Sequence, residues 1–282
     1  MNRVDLNWDD NEVLPDRIRP DVEFLFYRMS KATIDMVDPR AAERVLDIGC
    51  GRAIDIVNMS QSGAVLIGIE PSFVMITHAR ETLKLNGLNT HVLQAIGESI
   101  PVAAGSMDKV VCKGALDHFA EPGEALQQMA LVLRPCGYAV IAIANFGSLG
   151  FKVGRFIFWL RRMLNIKNPY KRLPWEPPPD HTVKFDYAML LKLANQYMKV
   201  EKVTGVSMLC CVPGWGDMLS GLPRGLCRFL LVTLDGIARL LPCLCDVIVL
   251  KCAPCSNHRH CEPDLLPSSL RARRAWQSVR PT

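Results

Sequence analysis

The chain has no apolar run of the ~18–20 residues that a membrane-crossing helix needs. Its most apolar stretch, residues 226–250, is broken by Arg228, Asp235, Arg239 and Asp246. A basic N-terminal region followed by an apolar core is also lacking, because the first twenty residues are rich in acids; no secretory leader is expected. There is no internal repeat, so a stacked-repeat architecture is excluded. Nor is there a basic stripe interleaved with stacking aromatics on a strand face, so no nucleic-acid partner is expected. Acids are missing from residues 152–172, which hold seven basic side chains. These absences leave a chain expected to be cytoplasmic, soluble or at most peripheral to a membrane. Its apolar share of 49% against 22% charged residues is enough for the core of one large domain with insertions. Eight of the eleven cysteines lie between Cys210 and Cys261. With no leader, all eleven are expected to be reduced thiols.

What is present is concentrated in residues 44–70, RVLDIGCGRAIDIVNMSQSGAVLIGIE. Val45, Leu46 and Ile48 read as a buried strand, and Gly49, Cys50 and Gly51 as a glycine turn opening a helix. A second apolar strand over 65–69 ends on Glu70. Glycines let backbone approach a ligand closely, and a helix N-terminus offers unpaired amides. An acid at the tip of the second strand can accept hydrogen bonds from both hydroxyls of a ribose. A dinucleotide fingerprint would require a third glycine where Ile54 stands.

Around this unit the chain alternates strand and helix. Strands are predicted at 44–48, 65–70, 91–95, 107–112, 137–144, 199–207 and 245–252. Helices are predicted at 21–37, 53–62, 72–85, 122–133 and 186–197, with Ser72 as an N-cap. This pattern predicts an α/β fold, a Rossmann-like, seven-stranded, mostly parallel sheet with helices on both faces. Residues 1–39 form an N-terminal segment, its first 16 residues poorly ordered and its helix capping the site. The main domain spans 40–255 and carries insertions at 147–180 and 208–242. Residues 256–282 read as a disordered basic tail.

The glycine turn resembles motif I of the class I S-adenosylmethionine (SAM) methyltransferases, D-x-G-x-G-x-G. Asp47, Gly49 and Gly51 match, and Ala53 stands at the last glycine. Gly97-Glu98-Ser99-Ile100-Pro101 and the run 105–111 resemble the G-D-A-x-x-L-P-F…S-F-D-x-V pattern of the small-molecule branch called type 11. Residues 115–119 resemble its L-H-H-F element. Residues 125–141 resemble A-L-x-E-x-x-R-V-L-K-P-G-G-x-L-x-I, with Cys136 at one turn glycine. The resemblance covers residues 40–145 and implies a SAM-dependent methyltransferase. The implied cofactor-binding set is Asp47, Gly49, Cys50, Gly51, Glu70, Pro71, Glu98, Ser99 and Lys113, with Glu70 on the ribose and Glu98 near the adenine.

Several readings stay open at this level. Asp47 either braces the turn or meets the cofactor's amino group. His118, the leading catalytic candidate, is either a general base or a pocket wall. His181 is either a substrate contact or an ordinary loop histidine. The spacing Cys252, Cys255, His258, His260, Cys261 fits zinc, but a cysteine-rich tail is the plainer reading, so no metal is expected. The basic, aromatic segment 151–172 is read as part of a lid formed with the second insertion, and a membrane-surface helix is the next alternative. An apolar lid suggests a small, partly apolar acceptor of lipid, quinone or polyketide type. The rivals are a sugar or polar metabolite as acceptor, and a non-catalytic scaffold on the same fold.

Overall fold

A computed structural model describes residues 5–12, 18–166, 182–210 and 212–255. Its strands are β1 (Arg44–Ile48), β2 (Val65–Glu70), β3 (His91–Gln94), β4 (Met107–Lys113), β5 (Leu133–Ala144), β6 (Met198–Val206) and β7 (Val247–Pro254). They form one sheet in the order β3-β2-β1-β4-β5-β7-β6. β7 runs antiparallel to both of its neighbours, and the other pairings are parallel. The expected fold is therefore the observed one.

The helices are α1 (Pro20–Val37), α2 (Ile54–Met59), α3 (Phe73–Leu85), α4 (Pro122–Val132), α5 (Leu149–Met163), α6 (Tyr187–Tyr197), α7 (Trp215–Ser220) and α8 (Arg224–Leu240). Local chemistry sets where they start. Ser72, Ser148 and Asp186 each accept a hydrogen bond from the amide three residues on, which satisfies one orphan donor of α3, α5 and α6. Prolines with no amide to lose open α1 and α4.

The sheet is buried on both faces, which is why its central strands are almost continuously apolar. Successive residues alternate between two cores. Leu46, Ile48, Val110, Cys112, Ala139, Ile141, Ile248 and Leu250 face the layer that holds Leu126 and Met129 of α4 and Leu190 and Ala194 of α6. Val45, Val111, Val140, Ala142, Val247 and Val249 face Met29 and Val37 of α1 and Ala79 and Leu83 of α3. β5 begins four residues before the predicted start, because Leu133 pairs with Met107 across a register shift. A second register shift lies in β6, between Val200 and Lys202.

The insertion at 208–242 supports α1 from outside. Cys227 and Leu231 of α8 pack with Leu219 of α7 and with Phe24 of α1. Asp235, 1% exposed, accepts from the Arg28 guanidinium at 3.0 Å and from the Ser207 amide at 3.1 Å, and pairs with Arg239. Eight described cysteines are free thiols. Cys136 is disulfide-bonded, which corrects the expectation that all eleven are reduced.

α8 lies so close to β6 that a Cβ on Gly205 would stand 2.2 Å from the Ala238 carbonyl oxygen and 2.7 Å from the Cys245 Cβ. Backbone cannot yield there as a side-chain tip can. Gly205→Ala is expected to lower unfolding stability by about 1–3 kcal/mol, the usual cost of overpacking, as read from the urea midpoint. An unchanged midpoint would show that α8 rides loosely on the sheet edge.

Candidate active site

The C-terminal ends of β1, β2 and β4 open onto a cavity of about 1440 Å³. Its floor is the turn after β1. The amides of Gly49 and Cys50 both donate to the Ile69 carbonyl, at 2.9 and 3.0 Å, so the turn folds back over the end of β2. Gly49 has φ +68°, and a Cβ there would stand 2.5 Å from the Ala115 Cβ, so only glycine fits. Ala53, fully buried, also takes a left-handed conformation (φ 59°) as the N-cap of α2. The motif's last small residue is thus needed for its backbone angle, and alanine holds that angle at a cost of about 1–2 kcal/mol.

Glu70 ends β2 beneath this turn. One carboxylate oxygen accepts from the Gly51 amide and the other from the Ser72 amide, each at 3.0 Å. Each oxygen keeps a lone pair, and Glu70 lines the cavity. Burial raises its pKa, and the two amides work against that rise. Pro71 lines the cavity beside it, and Cys50 does so with a thiol that burial pushes well above its ordinary pKa.

Toward α1 the wall is a charged cluster. Lys113 Nζ lies 2.7 Å from the Asp55 carboxylate and donates to the Ser30 hydroxyl at 3.1 Å, while Ser30 donates to Asp55. Asp47, 3% exposed, faces the same space. Its pKa is raised to about 8, first by burial and then by Asp55, while the Lys113 charge opposes the rise. At the other end, Glu98 accepts from the Glu121 amide through Oε1 at 3.1 Å. Its Oε2 is buried and has no hydrogen-bond partner among the described residues. Ser99 is exposed and does not line the cavity, because the chain turns outward after Glu98.

His118 closes a 3-10 turn after β4 and lines the cavity. Adjacent residues rarely face each other, yet this tight turn brings the Asp117 carboxylate to 3.8 Å from the His118 Nε2. Thr182 is bonded to the same turn, its amide and its hydroxyl both donating to the Asp117 carbonyl, at 2.8 and 2.9 Å. His181 lies outside the described residues, as do His258, His260 and Cys261. Among the described residues there is no group of metal ligands.

One part of the site was not foreseen. Residues 5–12 were expected to be poorly ordered but form a strap across the cavity mouth. The Ser72 hydroxyl donates to the Trp8 carbonyl at 2.6 Å, and the Phe73 amide to the Leu6 carbonyl at 2.8 Å. Arg52 grips Asp10 with contacts of 2.6 and 2.7 Å, and the Trp8 ring centroid lies 5.7 Å from that of His118. The clue was Leu6 and Trp8, two large apolar side chains in an acidic run. The outer wall is supplied by Phe26, Tyr27 and Ile34 of α1, the helix read as capping the site. No described residue of 149–166 or 208–242 lines the cavity. The second insertion packs behind α1 instead of over the opening.

A family model described as a methyltransferase domain, type 11, matches residues 46–141. A "Ubiquinone biosynthesis O-methyltransferase" of Vibrio vulnificus is 32% identical over 188 residues, which cover 64% of this chain and 72% of that one. The chain belongs to the class I SAM-dependent methyltransferases. A "Demethylmenaquinone methyltransferase" of Corynebacterium kroppenstedtii is 27% identical over 107 residues, 38% of this chain and 44% of that one. Among solved structures, the Haloferax volcanii complex of the Trm112 activator with a methyltransferase matches with a TM-score of 0.55 at 14% identity, over 84% of this chain and 93% of that one, a likeness of fold.

In this methyltransferase the strap is held in part by the partly exposed Arg52–Asp10 pair, so Arg52→Ala is expected to cost at most about 1 kcal/mol of global stability. The Phe73 amide should nevertheless exchange its hydrogen markedly faster, because its bond to Leu6 opens with the strap. Unaltered exchange at Phe73 would mean that the strap is held by Trp8 instead.

Proposed function

We propose that this methyltransferase transfers a methyl group to a hydroxyl of a small, partly apolar acceptor of quinol type, with His118 as the general base. The observation that carries the reading is that one cavity gathers the carboxyl groups of Glu70, Asp47 and Glu98 together with the imidazole of His118, the ring of Trp8 against it, and the apolar side chains of Phe26 and Tyr27.

The residues fit the cofactor. Glu98 Oε2, buried without a partner, suits an amino-group donor such as the adenine amine. Glu70, held by two amides, suits the ribose hydroxyls. Asp47 suits the α-ammonium and Lys113 the carboxylate of the methionine part, while Gly51 leaves room above the turn. When bound, SAM supplies an electrophilic sulfonium methyl group. The protein then has two tasks: to hold the acceptor oxygen in line, and to remove its proton. His118 can take that proton, and the Asp117 carboxylate at 3.8 Å stabilises the cation that results. Relatives named for ubiquinone and menaquinone steps support an apolar ring as acceptor. The half-exposed aromatic side chains of α1 support it too.

The test is turnover of a catechol bearing an apolar tail against a sugar of similar size, with wild type and His118→Ala. The catechol is expected to be preferred. The variant should lose about 10²–10⁴-fold in kcat at neutral pH and regain much of it at high pH, where the acceptor ionises unaided. A uniform loss at all pH values would leave His118 as a wall only, and preference for the sugar would overturn the acceptor class.

Asp47 gives an independent check on the cofactor contact. A carboxyl with its pKa raised to about 8 holds its proton at pH 7, and a cationic amine against it favours the ionised form. SAM binding near pH 7 should therefore release a proton, with affinity rising as pH climbs toward 8 and levelling above it. Calorimetry in buffers of different ionisation enthalpy reads that proton directly. Asp47→Asn should abolish the release, and release that persists in the variant would point to another group.

A further inference from the structure

α5 buries one narrow face and leaves the opposite one in solvent. Of its fifteen residues only Gly150 and Gly154 are buried, and these lie on one face, four residues apart. A Cβ on Gly150 would stand 2.5 Å from the Cys210 carbonyl oxygen, so this glycine face is the one pressed against the body. Phe156 lies two residues past Gly154, about 200° around the helix. With Trp159, Leu160 and Met163 it forms an i, i+3, i+4, i+7 stripe that points directly away from the protein. Phe156 is 61% exposed, Trp159 56% and Met163 66%, and the Phe156 and Trp159 rings stack with centroids 5.8 Å apart. The apolar exposure continues through Leu164 and Ile166. A projecting stripe of this size is not an ordinary water-facing surface.

Charge selects what covers it. Lys152, Arg155 and Arg162 are exposed beside the stripe, and residues 149–166 contain no acid. A paired copy of α5 would set these cations against their own kind, whereas an anionic lipid surface would neutralise them and receive the aromatic side chains at headgroup depth. We infer that α5 is a docking helix for an anionic membrane surface, lying in the interface with Phe156, Trp159, Leu160 and Met163 inserted. No described helix is long and apolar enough to cross a membrane, so the contact is peripheral. The bearing of this docking on catalysis rests on the apolar-acceptor reading, but the docking itself does not.

The experiment is co-sedimentation of the full chain with phosphatidylglycerol and with phosphatidylcholine vesicles, without cofactor or acceptor. Wild type should partition onto the anionic vesicles at least tenfold better than onto the neutral ones, and lose most of that advantage in 0.5 M salt (screening length about 4 Å). The double variant F156E/W159E should bind at least tenfold more weakly, and so should R155Q/R162Q. Both should keep wild-type affinity for S-adenosylhomocysteine, because these side chains are exposed and away from the cavity. Equal binding by F156E/W159E, or none by wild type, would overturn the inference. So would a dimer in sedimentation velocity that the same substitutions dissociate, since a second copy would then be the occupant. Failure of the acceptor test leaves these vesicle readings unchanged, so the two ideas fall separately.

Discussion

Two amides on one carbonyl hold the site together. By bonding Gly49 and Cys50 to Ile69, the chain locks the exit of β1 onto the end of β2. Everything with chemical potential is referred to that lock. It aims the Gly51 amide at Glu70, presses Gly49 against Ala115 at the start of the β4 loop, and forces Ala53 into the left-handed conformation from which α2 departs. The strain at Ala53 is therefore a local cost of a turn that three strands share.

That turn was also the most legible part of the sequence. Runs such as RVLDI and VLIGIE read directly as strands because both faces of a parallel sheet are buried, and Ser72 read as a cap because its hydroxyl can accept from an orphan amide of the first turn. Glu70 and Asp47 line the cavity because their positions follow from strand ends, whereas Ser99 lies in the turn that carries the chain outward after Glu98. The strap was missed. Its order comes from contacts more than forty residues away, Arg52 to Asp10 and Ser72 to Trp8, and no local period records such pairing.

The electrostatics of the cavity follow from this layout. Asp5, Asp10, Asp35, Asp55, Glu70 and Glu98 line it against Lys31, Arg52 and Lys113, six carboxyl groups to three cations, with the protonated Asp47 beside them. A space with that balance favours a ligand carrying positive charge. Methyl transfer removes the sulfonium charge, so the field that welcomes the methyl donor holds its by-product less strongly. Product release is thereby helped by the same acids that assemble the site.

The sheet's two open margins bear on how this molecule meets others. β3 is only four residues long, and β6 interrupts its pairing between Val200 and Lys202 while exposing Lys199, Glu201 and Lys202. Short length, irregular register and charge are the features by which natural sheets refuse added strands. Self-association through continued backbone pairing is thus closed off at both ends. The protein can be crowded, or drawn to a surface by its helices, without its sheet becoming a template for aggregation.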